Sequence, residues 1–180
     1  MFMLASEIKR DPVRRWALSD RIFFGRGACY ILSGVYLQRS FLPSAYAERI
    51  IPREDRFGGH CYGTDGDILF DYRGYASRER VHKHAQAAWL KAYNGDWSYH
   101  TERVDFDLLD TVELNRRRMF GSDQYHCDPV VRANALFDRI DHPARIAQAR
   151  AKAITVGTDH SLGSGAVPLG RHAVTAARRV

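Results

Sequence analysis

The sequence predicts an α+β domain: a small antiparallel sheet packed against an N-terminal core helix that begins at Cys29, with additional helices toward the C-terminus. Three observations carry this. A nearly unbroken apolar run, Cys29 to Leu37, follows the glycine-rich turn Gly25-Arg26-Gly27-Ala28. Two strand-like runs, Gly58 to Gly63 and Asp67 to Tyr72, flank a Thr64-Asp65-Gly66 turn. Beyond them lie helical periodicity and repeated helix-start signals.

Element by element, Asp11 followed by Pro12 reads as N-cap and first turn of a short helix through Leu18. Ile22-Phe23-Phe24 is a short apolar lead-in to the turn before Cys29. The Cys29 helix should end near Ser40, because Pro43 cannot continue it. Gly34 inside it costs about 1 kcal/mol against alanine, which suggests close packing against a strand. Tyr46 to Ile51 is a strand ended by Pro52, and the hairpin follows, closed by Gly74-Tyr75. Ser77 caps a helix from Arg78 to about Tyr93, with Val81, Ala85, Ala88, Trp89 and Ala92 on one face and Asn94-Gly95 as its stop. Trp97 to Phe106 is expected as a strand and Leu108 to Phe120 as a helix. Asp128-Pro129 opens a helix through Ile140, and Asp141-His142-Pro143 opens another through about Ala153. The expected division is one domain over 1–153 and a loosely held tail over 154–180, rich in glycine, alanine and arginine from Gly157 on.

Composition bounds the class. At 180 residues, with 45% hydrophobic and 27% charged side chains, the chain can bury a substantial core. A formal charge of +6 favours an acidic partner without naming one. The three cysteines are an odd number, which argues against a disulfide framework and for a reducing compartment. The N-terminus lacks a cationic start followed by an apolar core, and no apolar run approaches the roughly 20 residues that span a bilayer. A cytoplasmic protein is expected, with signal-less export as the other route and no membrane partner.

The chemistry-bearing residues fall in a telling order: Cys29 at a helix start, His60 on one strand and Asp71 on the next. A thiol at a helix N-terminus beside an imidazole becomes a thiolate at neutral pH. His60 can take its proton and pass it to a leaving amine, and Asp71 can orient His60. A buried core position is the ordinary reading of each residue alone; the ordered set points to nucleophilic catalysis.

That set resembles the papain-like superfamily, especially its transglutaminase-like and compact amidase branches, over roughly Phe23 to Tyr75. The resemblance implies a cysteine at the start of a core helix, with the histidine and acid on successive antiparallel strands. It assigns Cys29 as nucleophile, His60 as base and Asp71 as orienting acid. Tyr30 matches the aromatic residue after the cysteine. The Gly-Ser-Cys context and the upstream oxyanion-hole glutamine have no counterpart; the nearest upstream polar side chains are Arg26, Asp20 and Ser19. An oxyanion hole that uses the Cys29 backbone N–H is compatible with this, and the sequence does not name the donors. The implied activity is hydrolysis or transfer at an amide or related acyl bond, without a cofactor, on a protein or peptide substrate.

Other constellations compete. His60-Cys61 and His126-Cys127 could supply four zinc ligands, but neighbours on a strand point to opposite faces and zinc sites use wider spacing; no metal is expected. His82 and His84 sit on different faces of one helix. Arg116-Arg117-Arg118 and Arg178-Arg179 could meet phosphate, and Tyr93, Trp97 and Tyr99 could stack on bases, though a solvated face, a charged tail and core packing account for them. No phosphate-cradling or dinucleotide glycine motif is present. The other function consistent with the chain is a non-enzymatic module whose basic surface contacts nucleic acid or an acidic protein.

Overall fold

The computed structural model describes residues 5–54 and 56–159, and for residues 6 and 155–159 the backbone alone. Short helices come first: α1 (Ser6–Arg10), α2 (Pro12–Trp16) and α3 (Asp20–Gly25). Asp11 caps α2 as expected, accepting from Val13 and Arg14 N–H. The apolar lead-in, residues 22–24, is part of α3, where Phe23 and Phe24 are buried. Then α4 (Cys29–Arg39) runs through seven consecutive buried residues, Tyr30 to Tyr36, and stops at Ser40 in the left-handed conformation. A helix apolar all round is a central helix.

Five strands follow: β1 (Tyr46–Pro52), β2 (His60–Thr64), β3 (Ile68–Asp71), β4 (Gly74–Ser77) and β5 (Tyr99–Arg103). They form one sheet in the order β4-β3-β2-β1-β5, with every pairing antiparallel. The fold is thus the α+β class anticipated, with Cys29 heading the helix packed on the sheet. The β2–β3 turn is held by side chains. Asp65 accepts from Asp67 and Ile68 N–H, and Thr64 Oγ1 donates to the Ile68 carbonyl at 2.6 Å. Gly74-Tyr75 does more than close the hairpin; it begins the edge strand β4.

Alternation sorts the sheet residues onto two faces. Ala47, Cys61, Ile68 and Phe70 join the core beneath α4, while Ile50, Tyr62 and Leu69 join Val81, Trp89 and Trp97 beneath α5 (Arg78–Ala92). Ser77 caps α5 and Asn94-Gly95, both at positive φ, end it. Two expectations are corrected here. Over 97–106 only Tyr99–Arg103 is strand, and over 108–120 only α6 (Thr111–Arg116) is helix, because Asp110 caps it and accepts from Val112 and Glu113 N–H. The remaining helices, α7 (Pro129–Phe137) and α8 (His142–Asp159), start at Asp128-Pro129 and after Asp141 as read from the sequence. Helix α8 continues past Ala153, and residues 160–180 of the expected tail lie outside the described residues. Tyr75 donates its hydroxyl to His142 Nδ1 at 2.8 Å, docking α8 against β4. Among the described residues no helix is long and apolar enough to cross a membrane.

Gly34 does not meet a strand. A Cβ there would lie 2.9 Å from Leu109, in the segment after β5. The helix–sheet contact is set by Gly63 on β2, where a Cβ would fall 2.3 Å from the Tyr36 ring. Tyr36 is fully buried and stacks on Phe70 at 4.9 Å, so it cannot retreat. Gly63→Ala should cost about 1–3 kcal/mol in urea denaturation, the range for overpacking. Gly59→Ala, with its nearest neighbour atom at 3.6 Å, should stay within about 0.5 kcal/mol of the parent. Equal effects would show that β2 and α4 are not in forced contact.

Candidate active site

The β2–β3 register pairs Gly63 with Phe70 and Thr64 with Leu69. Continued by one step, it puts Asp71 opposite Tyr62 and diagonal to His60 on the same face, within side-chain reach. The two meet: His60 Nε2 lies 3.1 Å from Asp71 Oδ2. With Nε2 engaged, Nδ1 is the nitrogen left for Cys29, which hydrogen-bonds the same imidazole. All three residues singled out from the sequence therefore converge where the start of α4 meets the start of β2 and the end of β3.

The Asp71 carboxylate is 1% exposed and carries more than His60. Arg73 donates its backbone N–H to Oδ1 at 2.8 Å and its guanidinium to Oδ2 at 2.6 Å. Burial pushes Asp71 up, and the bonds and charges of His60 and Arg73 outweigh it, bringing its pKa to about 2. Burial also opposes charge on His60, but Asp71 and Cys29 overcome it and raise the imidazole to about 9. Cys29 is held below the ordinary thiol value. Burial opposes this, but His60 prevails, helped by the backbone N–H groups of Cys61 and Tyr30. The arrangement favours a thiolate–imidazolium pair, seated on a buried carboxylate.

Helix α4 reinforces the anion. Helices α2, α5, α6 and α7 carry side-chain caps, whereas Ala28 gives α4 none. The first-turn N–H groups and the positive end of the helix dipole are therefore available at the sulfur. The turn leading into it is clamped. Tyr125 donates to the Gly27 carbonyl at 3.0 Å and meets the Tyr30 hydroxyl at 2.9 Å, while Phe120 N–H donates to Tyr30 Oη at 3.0 Å. At Gly25 a Cβ would strike the Tyr72 ring at 2.9 Å, and Tyr72 packs edge-on to His60 at 5.5 Å.

Of the other residues weighed, Cys61 is buried on the α4 face, where desolvation drives its thiol far above the ordinary range. Cys127 is exposed, and all three cysteines are free. No group of three or more His, Cys, Asp or Glu among the described residues could hold a metal ion. His84 is exposed, while His82 joins a polar network under α5, with Nε2 2.6 Å from Tyr62 Oη and Nδ1 3.0 Å from Tyr99 Oη. There Glu48 accepts from Tyr62 and from Arg78 at 2.7 Å. Arg116 and Arg117 fold onto Glu113, and Arg117 lies 3.7 Å over Phe106. Arg178-Arg179 lie outside the described residues. Trp97 is core, and Tyr93 and Tyr99 pack against that core. Of the upstream polar residues, Asp20 is tied to Arg132 and Arg139, whereas Arg26 lines the cavities beside His60.

Arg73 and Tyr125 were not found from sequence. Arg73 lies two positions beyond the acid in a turn, and Tyr125 lies 98 residues from the carbonyl it holds, so neither has a spacing signature. No protein-family model, curated protein or solved structure matches the chain.

Asp71→Asn removes the anion that helps hold His60 protonated. His60, charged below about 9 in the parent, should then lose its proton nearer the ordinary 6.5. NMR titration of the His60 ring reads this directly, and an unchanged midpoint would remove Asp71 from the role of charge partner.

Proposed function

We propose that the protein is a cysteine-dependent hydrolase or acyltransferase acting on an amide or related acyl bond. The observation that carries this reading is the chain of contacts from Cys29 through His60 to the buried, Arg73-braced Asp71. It is the charge arrangement that the resemblance to papain-like and transglutaminase-like enzymes implies.

The Cys29 thiolate attacks the carbonyl carbon, forming a C–S bond as the carbonyl π pair moves onto oxygen. The Cys29 backbone N–H, uncapped at the start of α4, faces that developing oxyanion. His60 gives its Nδ1 proton to the amide nitrogen, the C–N bond breaks and the amine leaves. The thioester then accepts water or a second amine, His60 takes the proton of that nucleophile, and cleavage of the C–S bond restores the thiolate. Asp71 keeps its charge throughout and stabilises the imidazolium, with Arg73 fixing the carboxylate.

The test is iodoacetamide alkylation followed cysteine by cysteine by mass spectrometry from pH 5 to 10. Cys29 should label rapidly well below pH 8.5, the value of a free thiol. His60→Ala should slow that labelling at neutral pH by about tenfold or more, and Cys61 should stay protected. Amide turnover, unlike alkylation, needs the proton on His60, so its rate should fall above about pH 9 and vanish in Cys29→Ala. Slow labelling of Cys29 that is indifferent to His60 would make it a structural cysteine and end this reading.

A further inference from the structure

Two cavities, of about 470 and 390 Å³, open on either side of His60 and share Arg26, Ile50, Gly58, Gly59 and Trp89 as lining. Sharing these walls, they are taken together as one cleft that reaches Cys29 in the first cavity and Arg73 in the second. Outside the Cys29–His60 pair its charge is one-signed. Lys9, Arg26, Arg49, Arg56, Arg73 and Lys91 line it, and no described carboxylate does.

Three of these cations already have acidic partners. Arg49 reaches Glu102 at 3.3 Å, Arg56 reaches Glu54 and Asp96, and Arg73 is spent on Asp71. Lys9 lies 5.4 Å over the Phe57 ring, a contact that leaves its charge uncancelled. Neither Arg26 nor Lys91 makes an ion pair among the described residues. Arg26 is half-buried between the two cavities, where a low-dielectric wall strengthens its field.

Between its charged and polar groups the cleft presents apolar side chains and, at Gly58-Gly59, bare backbone. Phe57 is 56% exposed, yet its backbone is pinned: its N–H donates to Tyr93 Oη at 3.0 Å and its carbonyl accepts from Trp97 Nε1 at 3.0 Å. A large apolar side chain is thereby held out of the core at the mouth. Gly58, at φ +120, has no room for a Cβ because Trp89 would lie at 2.8 Å, and Gly59 is exposed. The floor leading into His60 thus carries no side chain, which suits the main chain of an extended peptide.

Resting on the thiol–acyl reading above, we propose that this cleft binds an acidic segment of a polypeptide, extended across His60, with carboxylates near Arg26 and Lys91 and an apolar residue against Phe57. Nucleic acid fits less well. Trp89, which lines the cleft, and Trp97 are buried, so the exposed Phe57 has no tryptophan beside it to extend a row of stacking faces.

The binding arm of the test needs no turnover. Cys29→Ala protein is titrated into fluorescein-labelled peptides that alternate glutamate, glutamine or lysine with leucine, read by anisotropy. The glutamate peptide should bind about tenfold tighter than the glutamine peptide at low salt, and the gap should shrink as salt screens it. The lysine peptide should bind least. Arg26→Gln and Lys91→Gln, which break no ion pair among the described residues, should each weaken the glutamate peptide about threefold and leave the glutamine peptide unchanged. In the parent protein the glutamate peptide should protect Cys29, but not Cys127, from iodoacetamide. Equal binding of the glutamate and glutamine peptides would overturn the proposal. So would displacement of the glutamate peptide by oligouridylate at lower concentration, which would make the cleft a nucleic-acid site. Alkylation of Cys29 at low pH without peptide reports on the thiol by itself, so failure of the cleft and failure of the chemistry give different results.

Discussion

A carboxylate that is 1% exposed is the constraint around which the site is built. Charge removed from water is tolerated only when opposite charge and hydrogen bonds replace the lost hydration. Asp71 receives both from Arg73, across a two-residue turn, and from His60, across the hairpin. The second contact keeps the imidazole charged, and a charged imidazole in turn draws the proton from Cys29. The dependence is mutual: Asp71 and Cys29 both raise His60, and His60 lowers both of them. The hairpin register therefore governs the chemistry as well as the sheet: a slip of one residue would turn Asp71 to the α4 face and leave its charge without His60.

Cys29 must also arrive at that imidazole, and the placement of α4 decides this. The helix is fixed along its length by the fit of Tyr36 over Gly63 and at its start by Tyr125 on the Gly27 carbonyl. The first contact is steric and the second a hydrogen bond, and they control different freedoms: depth on the sheet and position of the N-terminus. Because α4 also lacks a side-chain cap, its first amides are not taken up by a capping side chain, and the Tyr30 N–H is among the groups that bond Cys29.

Local signals in the sequence carried much of this. The caps at Asp11, Ser77 and Asp128, the Asp-Gly turn and the order Cys29, His60, Asp71 are features of a few adjacent residues, and the structure brings them together as that order implies. What was not legible depends on distant partners. Phe23 and Phe24 read only as an apolar lead-in because runs of three carry no period, and in the structure they are buried within a helix. Gly34 was assigned to a strand contact, but its neighbour is Leu109, seventy-five positions on. The segment 97–106 has strand composition throughout, but β1 pairs with only its central part. Tyr125 and Arg73 contribute geometry and charge without any motif of their own.

The contrast between Cys29 and Cys61 shows what separates two neighbouring thiols in this fold. Burial opposes ionisation of both thiols. Cys61, one residue past His60, points to the opposite face, where the core beneath α4 holds it and where the negative charge of Cys29 raises its pKa further. Cys29 meets the imidazolium itself and two backbone N–H groups. Burial makes ionisation harder for each, so it cannot be what activates one of them; the difference lies in the partners the alternation of β2 supplies. Once Cys29 carries the charge, its field suppresses ionisation of the neighbouring thiol. A second thiolate beside Cys29 is disfavoured because like charges at close range in a poorly solvated setting exclude each other.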